Sequence, residues 1–429
     1  MARRAAVIGA GPMGLAVAYE LTKRGWPVDV YEQDDRIGGM SAHFDFDGLR
    51  IERYYHFICK TDHALFELLE ELGLSDRLRW AVTRMGFFYD GVMFEWGRPD
   101  ALLTFPHLPW VDKLRYAAHL MRARAVPDWK RLDGQEATGW IRRWIGDRAY
   151  DVLWRKTFEL KFFQHHENIS AAWIATRIRR VAMSRRSAFE EEMGYLEGGS
   201  ETLLQALRER IEAGGGTVRT GAAVQQVEVR DGRVTGVRVG DELRPADVVV
   251  STVPLRFVPR LVPALPDAAR ESIERLENIG VVCVTVKLSR QLTPYFWVNV
   301  NDDRLEIPGL IEYTNLNPLA SHVVYVPYYL PADHPKWAWT SDAFLEEVLR
   351  YLRIVRPDFD DAWIEATHVS RYKHAQPICP PGFAAALPPM RTAIEGFVMA
   401  DTSHCYPEDR SITESVRIGH ELVRLCGDP

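Results

Sequence analysis

The stretch AAVIGAGPMGLAVAYELTKRGWPVDVYEQ, residues 5–33, constrains the fold more than any other part of this 429-residue chain. Val7 and Ile8 open a short apolar run that stops at Gly9, Gly11 and Gly14, with Pro12 between them. Beyond the glycines, Leu15, Ala18, Tyr19 and Leu21 recur at helical spacing, so the segment reads as strand, tight turn and helix. Gly25 ends the helix, Val28, Val30 and Tyr31 make a second strand, and Glu32 and Gln33 follow. A glycine cluster alone marks many ordinary turns. Here the strand, helix, second strand and acid come in the order of a dinucleotide-binding unit. The helix N-terminus offers free amides to a pyrophosphate, and the carboxylate accepts hydrogen bonds from ribose hydroxyls.

A chain of this length exceeds what one core usually organises, so two domains are expected. With 47% hydrophobic and 26% charged residues it has material for an ordinary globular core. The net charge of −6 and the lack of a long basic run exclude nucleic acid as a partner class. Five scattered cysteines, Cys59, Cys283, Cys379, Cys405 and Cys426, never form a CxxC pair. That pattern fits a reducing compartment and speaks against a disulfide framework or a zinc site. No removable leader or membrane-spanning run is read from the chain, and the expectation is a cytoplasmic protein.

Residues 34–44, DDRIGGMSAHF, carry paired Gly38 and Gly39 that let a backbone pass close to something bulky, with Met40 next in line. Arg36 either meets a phosphate or caps the turn. Residues 62–73 read as a helix capped by Asp62, and 81–190 as an inserted, aromatic and basic helical region, with helices near 111–125, 136–160 and 170–182. Residues 194–216 give a glycine turn, an amphipathic helix and a glycine stop. A hairpin at Asp231 and Gly232 follows, then a buried parallel strand at 248–253. After a helix at 266–278, β-rich runs between 281 and 330 predict a separate, mostly antiparallel sheet. A helix near 341–354 and a strand at 363–371 lead back to the first domain.

The expected class is therefore α/β. A Rossmann-like nucleotide-binding domain is assembled from discontinuous segments 1–80, 191–262 and 371–429. An α+β substrate domain combines the helical insertion at 81–190 with the sheet at 263–370.

Near the C-terminus an apolar strand ends at Asp401, and a helix opens near Ser411 and Ile412. A strand-end acid facing a helix N-terminus suits a polyol attached to a pyrophosphate, which belongs to FAD more than to NAD. With these residues, the opening glycines and Glu32, the RxGG-like Arg36, Gly38 and Gly39, and the GGSETLLQAL helix before Val224, the chain resembles the FAD-dependent amine oxidase superfamily. That group includes the monoamine and polyamine oxidases, protoporphyrinogen oxidase, phytoene desaturase-like enzymes and, more distantly, UDP-galactopyranose mutase. The resemblance covers roughly half the chain. It implies non-covalent FAD, with Gly9, Gly11 and Gly14 approaching the pyrophosphate and Glu32 holding the adenosine ribose. It places Arg36, Gly38 and Gly39 along the cofactor, Val224 on the adenine side and Asp401 at the pyrophosphate or ribityl chain.

YYHFICKTD, residues 54–62, is similar to a flavin-adjacent stretch of the mutase, with His56 and Asp62 at matching spacing. His56 is thus a catalytic candidate beside the flavin, or else a satisfied core histidine. Two departures favour the oxidases: Cys59 replaces a histidine, and Ala400–Asp401 replaces Gly-Arg. In residues 155–181, Lys161 is a candidate general base, and Arg177 and Arg180 are candidates to grip an anionic substrate. The alternative is a helix whose cations face water. His165, His166 and Glu167 point to different faces, and no metal site is expected. Tyr372, Lys373 and His374 are candidates for the wall above the flavin, and Cys379 falls where a monoamine oxidase bonds its flavin, though its surroundings do not match.

These parts imply hydride removal from a small-molecule substrate, itself of anionic type if the arginines grip it, with oxygen or another acceptor reoxidising the flavin. A redox-neutral sugar-nucleotide mutase is the alternative, and a flavin-binding scaffold without turnover a third reading. No second GxGxxG unit marks an NAD(P)H domain. The stripe at 111–125 has the pattern of a membrane-touching helix, but burial against the chain's own core is the expectation.

Overall fold

The computed structural model describes residues 3–125 and 128–428. At its centre lies a five-stranded parallel sheet in the order Phe397–Met399, Val248–Ser251, Ala5–Ile8, Val28–Tyr31, Thr217–Arg219. Ala5–Ile8 and Val248–Ser251 are buried at every position, as strands covered on both faces must be. Side chains alternate between the two cores. Ala5 and Val7 face a layer built on the helices Pro12–Lys23, His63–Leu72, Ser200–Ala213 and Ile412–Cys426, and Ala6 and Ile8 face the three-stranded meander Val224–Arg230, Arg233–Val239, Glu242–Pro245. The hairpin expected at Asp231 and Gly232 is present.

The first helix leaves its strand through the glycine turn. Gly9 has φ +102°, and a Cβ on Gly14 would stand 1.9 Å from the Gly9 carbonyl oxygen. Gly14 therefore serves close helix-to-strand packing. It was expected to approach a pyrophosphate, and it stands behind Gly9 and Gly11, outside the cavity lining.

The second sheet has seven strands, ordered Ile364–Pro377, Asn278–Leu288, His322–Leu330, Gly309–Glu312, Trp297–Asn301, Met85–Tyr89, Val92–Trp96. All pairs are antiparallel except Trp297–Asn301 with Met85–Tyr89. The last two strands correct the reading of 81–190 as helical throughout. MGFFYDGVMFEW is a hairpin whose Asp90 and Gly91 both take positive φ, the same turn chemistry as at 231 and 232. Leu78–Thr83 pairs with Glu191–Leu196 at the other end of the region.

Between them stand the helices Trp110–Arg124, Ala137–Ile145, Lys156–Phe162 and Ala171–Met183. The run expected as one helix at 136–160 breaks at Gly146, φ +85°, and passes through a π-helical turn at Asp151–Arg155. The Asp62 side chain does not cap its helix. It accepts the Cys59 amide at 3.0 Å and a two-pronged contact from Arg180 at 2.8 and 3.1 Å.

The helix Trp110–Arg124 departs from expectation most. It buries Tyr116, His119 and Ala123 but leaves Trp110, Val111, Leu114 and Met121 exposed, so its apolar stripe does not lie on the core. His119 is wholly buried against Trp140, ring centroids 4.6 Å apart, with neither ring nitrogen partnered among the described residues. Burial, and after it the Arg122 charge, push its pKa down to about 4. The unfolded chain takes up this proton near pH ~6.5 while the folded chain does not. The stability it contributes is therefore complete above that pH and is lost as the pH falls toward the folded value. Urea unfolding at neutral pH and near pH ~4.5 is expected to show wild type losing about 2.5 kcal/mol more than His119→Leu over the same interval.

Candidate active site

The C-terminal ends of the parallel strands open into a cavity of about 1020 Å³ that continues under the seven-stranded sheet. Its nucleotide-side wall is built by the glycine turn, at the point where the strand order reverses on either side of Ala5–Ile8. Gly11 is the N-cap of the first helix, Pro12 occupies its first turn, and a Cβ built on Gly11 meets nothing within 4 Å. Gly9, Gly11, Pro12, Gly39 and Met40 line this wall, and Gly39 comes within 3.6 Å of Gly11 Cα at its own Cβ position. Thr252, not anticipated from sequence, donates from Oγ1 to the Ile8 carbonyl at 3.0 Å and backs the turn.

Glu32 ends the second strand, buried, and its two oxygens accept the amides of Ala10 at 2.8 Å and Asp34 at 2.9 Å. Each oxygen keeps a lone pair toward the cavity, which Gln33 and Val224 also line. Asp401 accepts the amides of Ser403 and Leu255, both at 2.8 Å, and so ties the closing strand to the segment after Val248–Ser251. Ser411 caps the final helix by accepting the Glu414 amide, and Ser411 and Ile412 present that N-terminus to the cavity. Arg36 and Gly38 lie outside the lining. The Arg36 guanidinium pairs with Asp35 at 2.8 Å and donates to the His43 carbonyl at 3.1 Å. Gly38, φ +113°, makes the turn itself, with Ala42 backbone 2.9 Å from its Cβ position.

The other half of the cavity is aromatic, with Tyr54, Tyr55, Phe57, Trp297, Tyr313, Tyr329 and Tyr372 around it. His56 opens into it. Its Nδ1 lies 2.5 Å from a Glu52 oxygen and its Nε2 3.4 Å from Ser41 Oγ. Glu52 is buried and also accepts from the Ser200 amide at 2.9 Å and hydroxyl at 2.5 Å. Burial pushes Glu52 up, but the facing His56 and these hydrogen bonds outweigh it, and the carboxyl is held below its usual range. Glu52 thus accepts the Nδ1 proton of His56 and leaves Nε2, beside Ser41, as the ring nitrogen without a charged partner.

Lys161, on the helix Lys156–Phe162, is buried with its Nζ 5.0 Å from the Tyr329 ring centre, and no carboxylate pairs with it among the described residues. Burial first, then Arg177 and Arg410, hold its pKa well below the usual lysine range against the opposing pull of Asp409. Arg177 pairs with Asp409 at 3.3 Å, and Arg180 is already neutralised by Asp62. Tyr372 and His374 line the cavity, and His374 packs edge-on against Phe257. Lys373 points to the opposite side of the strand, over Trp337. Burial lowers His374 and raises Tyr372, so both stay neutral near pH ~7.

The sequence reading missed Glu52, Tyr55, Tyr329, Asp409 and Arg410. Only Tyr55, beside His56, carried a local signal. All five cysteines are buried and unpaired, and burial raises every one of their thiols, Cys59 to about 12 and Cys426 to about 11. Cys379 packs among Phe383, Tyr406 and their neighbours, away from the cavity lining.

These residues fit FAD. The open Gly11 and Gly39 backbone, two helix N-termini and the Glu32 lone pairs match a pyrophosphate and an adenosine ribose, and the cavity runs on to the aromatic half. The class this defines is a flavoprotein built on a dinucleotide-binding fold with a parallel and a mostly antiparallel sheet. The family model for flavin containing amine oxidoreductases matches residues 14–411, and the chain belongs to that family. It is 25% identical to the 15-cis-phytoene desaturase of Narcissus pseudonarcissus, over 92% of this chain and 74% of that protein. An oxidoreductase of Methanosarcina mazei has the same fold, with TM-score 0.77, 18% identity and coverage of 98% of this chain and 100% of that one. Reduced UDP-galactopyranose mutase shares the fold at TM-score 0.75 and 16% identity, over 98% and 94% of the two chains. The protein is thus a flavin-dependent oxidoreductase, and among the described residues no helix is long and apolar enough to cross a membrane.

Two glycines of the turn separate cofactor contact from packing. Gly11→Val is expected to leave the melting temperature of the flavin-free protein unchanged and to weaken FAD binding at least tenfold, read by fluorescence titration. Gly14→Ala is expected to destabilise the flavin-free fold itself by about 1–3 kcal/mol.

Proposed function

We propose that this enzyme dehydrogenates a neutral or anionic small molecule, removing a hydride and a proton from adjacent atoms, as a desaturase or an oxidase does. FAD, when bound, supplies the hydride acceptor. The chain's own residues bind, orient and move the proton. The observation that carries this reading is the Glu52–His56 pair, in which a buried carboxylate orients a histidine on the wall of the cavity that also contains the nucleotide cradle. The substrate body lies against the tyrosines, whose rings displace water from it. The proton passes to His56 Nε2, and Glu52 stabilises the imidazolium that results.

The charge of the aromatic half supports a neutral or anionic substrate over a cationic amine. Arg177, Arg180 and Arg410 take up Asp62 and Asp409 there, and burial holds Lys161 toward its neutral form, so neither carboxylate is left free to pair with an ammonium. The desaturase named among the relatives is in keeping with that. In this reading Glu32 holds the adenosine ribose, Val224 the adenine and Asp401 the ribityl side of non-covalently held FAD, while Lys161 and Arg177 steady the polar end of the substrate. Free, scattered cysteines support a cytoplasmic location.

The test follows flavin absorbance anaerobically while pools of neutral, anionic and amine compounds are offered. Bleaching by a neutral or anionic pool, with colour restored in air, is expected. Bleaching by amines alone, or isomerisation of a UDP-sugar by dithionite-reduced enzyme without bleaching by any pool, overturns the proposal. With a bleaching substrate in hand, His56→Asn is expected to slow reduction by about 10²-fold or more at unchanged flavin content. Glu52→Gln is expected to slow it less and to shift its pH profile.

A further inference from the structure

The helix Trp110–Arg124 carries an apolar face that stays exposed among the described residues, and its geometry is regular. At about 100° per residue, Trp110, Met121, Leu114, Ala118 and Val111 fall on one continuous arc of the helix. All five are exposed, Trp110 at 63%, Leu114 at 65% and Met121 at 64%. The opposite arc, with Tyr116, His119 and Ala123, is the one buried in the domain.

Basic residues border the apolar arc on both sides. Arg115 and Arg122 lie along one edge and Arg124 along the other. Arg115 donates to the carbonyls of Trp144 and Arg143, Arg122 lies 4.5 Å over the Trp144 ring, and Arg124 reaches Met183, itself 42% exposed. None of the three is ion-paired among the described residues, and the helix's one carboxylate, Asp112, falls toward the inner arc. A chain of net charge −6 thus concentrates unneutralised positive charge around its largest run of exposed apolar side chains.

We propose that this face docks the enzyme on an anionic lipid bilayer, the helix lying in the plane of the headgroups. The apolar arc enters the acyl boundary, Trp110 sits at its rim, and the arginines reach out to lipid phosphates with their stems along the apolar surface. Charge complementarity selects this occupant over a second copy of the chain. A two-fold contact through the face would set the same arginine-rich edges against each other. The inference does not rest on the identity of the substrate.

The test is sedimentation of the intact, flavin-loaded protein with vesicles of phosphatidylcholine alone or mixed with phosphatidylglycerol. Binding is expected to the mixed vesicles, weakening as salt is raised. Arg122→Gln with Arg124→Gln is expected to reduce it about fivefold for each charge removed. Leu114→Glu with Met121→Glu is expected to reduce it at least tenfold, with melting temperature and flavin absorbance unchanged. Failure of the wild-type protein to bind mixed vesicles overturns the proposal, as does binding that survives both double variants. It is also overturned if the protein is a dimer that Leu114→Glu with Met121→Glu makes monomeric while vesicles stay unbound, since the face is then a contact between copies.

Discussion

Everything at the nucleotide end depends on one close approach, that of the first helix to the strand it has just left. The Gly9 carbonyl occupies the space where any Gly14 side chain would begin, so the helix axis comes nearer the sheet than a Cβ allows. That proximity aims the helix N-terminus over the strand ends. It also brings Ala10 within reach of Glu32 and gives Thr252 its place behind the turn. The three covering helices then pack on a frame already set, the last of them close enough that Gly419 lies against Ala16. Remote parts of the chain meet at one crevice because the parallel sheet ends its strands on one side.

The second domain solves a different problem. Its long strand Asn278–Leu288 is paired along both edges and supplies a floor on which tyrosines can stand. The helices of the insertion close over that floor and bring Lys161 and Arg177 to it. The cavity therefore has two chemical halves that meet at His56: backbone amides and carboxylates on one side, aromatic rings and cations on the other. Asp62 lines the aromatic half beside Arg180 and has a second part. By holding Arg180 it fixes the insertion to the first domain, a buried bidentate pair whose removal from either side would leave an uncompensated charge.

Most of the first domain was legible because its signals are local. Glycine spacing, apolar alternation and a terminal acid are read within thirty or so residues, and each lies in one βα unit. The hairpin at Asp90 and Gly91 was equally local but was hidden by the aromatic and basic composition around it, which drew the reading toward helices. Glu52 and Arg410 could not be read. Glu52 acts through His56 four residues on, through His43 across the hairpin His43–Phe46 and Leu49–Glu52, and through the remote Ser200, and no motif in that stretch marks it. Arg36 is the opposite case: the pattern was local but left phosphate contact and turn capping open, and in the fold its guanidinium pairs with its own neighbour Asp35 outside the cavity lining. The stripe of the helix Trp110–Arg124 was legible as a pattern, but periodicity gives two apolar arcs no order, and only packing showed which one faces outward.

The five thiols add a property that concerns handling and survival more than catalysis. None lies at the surface, none has a sulfur partner within bonding reach, and burial leaves almost no thiolate at neutral pH. A flavoprotein that meets oxygen is exposed to the peroxide such encounters release, and thiolate is what peroxide attacks first. This chain carries its thiols only where that attack is slow. It needs no protective reductant in the tube, and so the colour of its flavin can be read without a competing source of electrons.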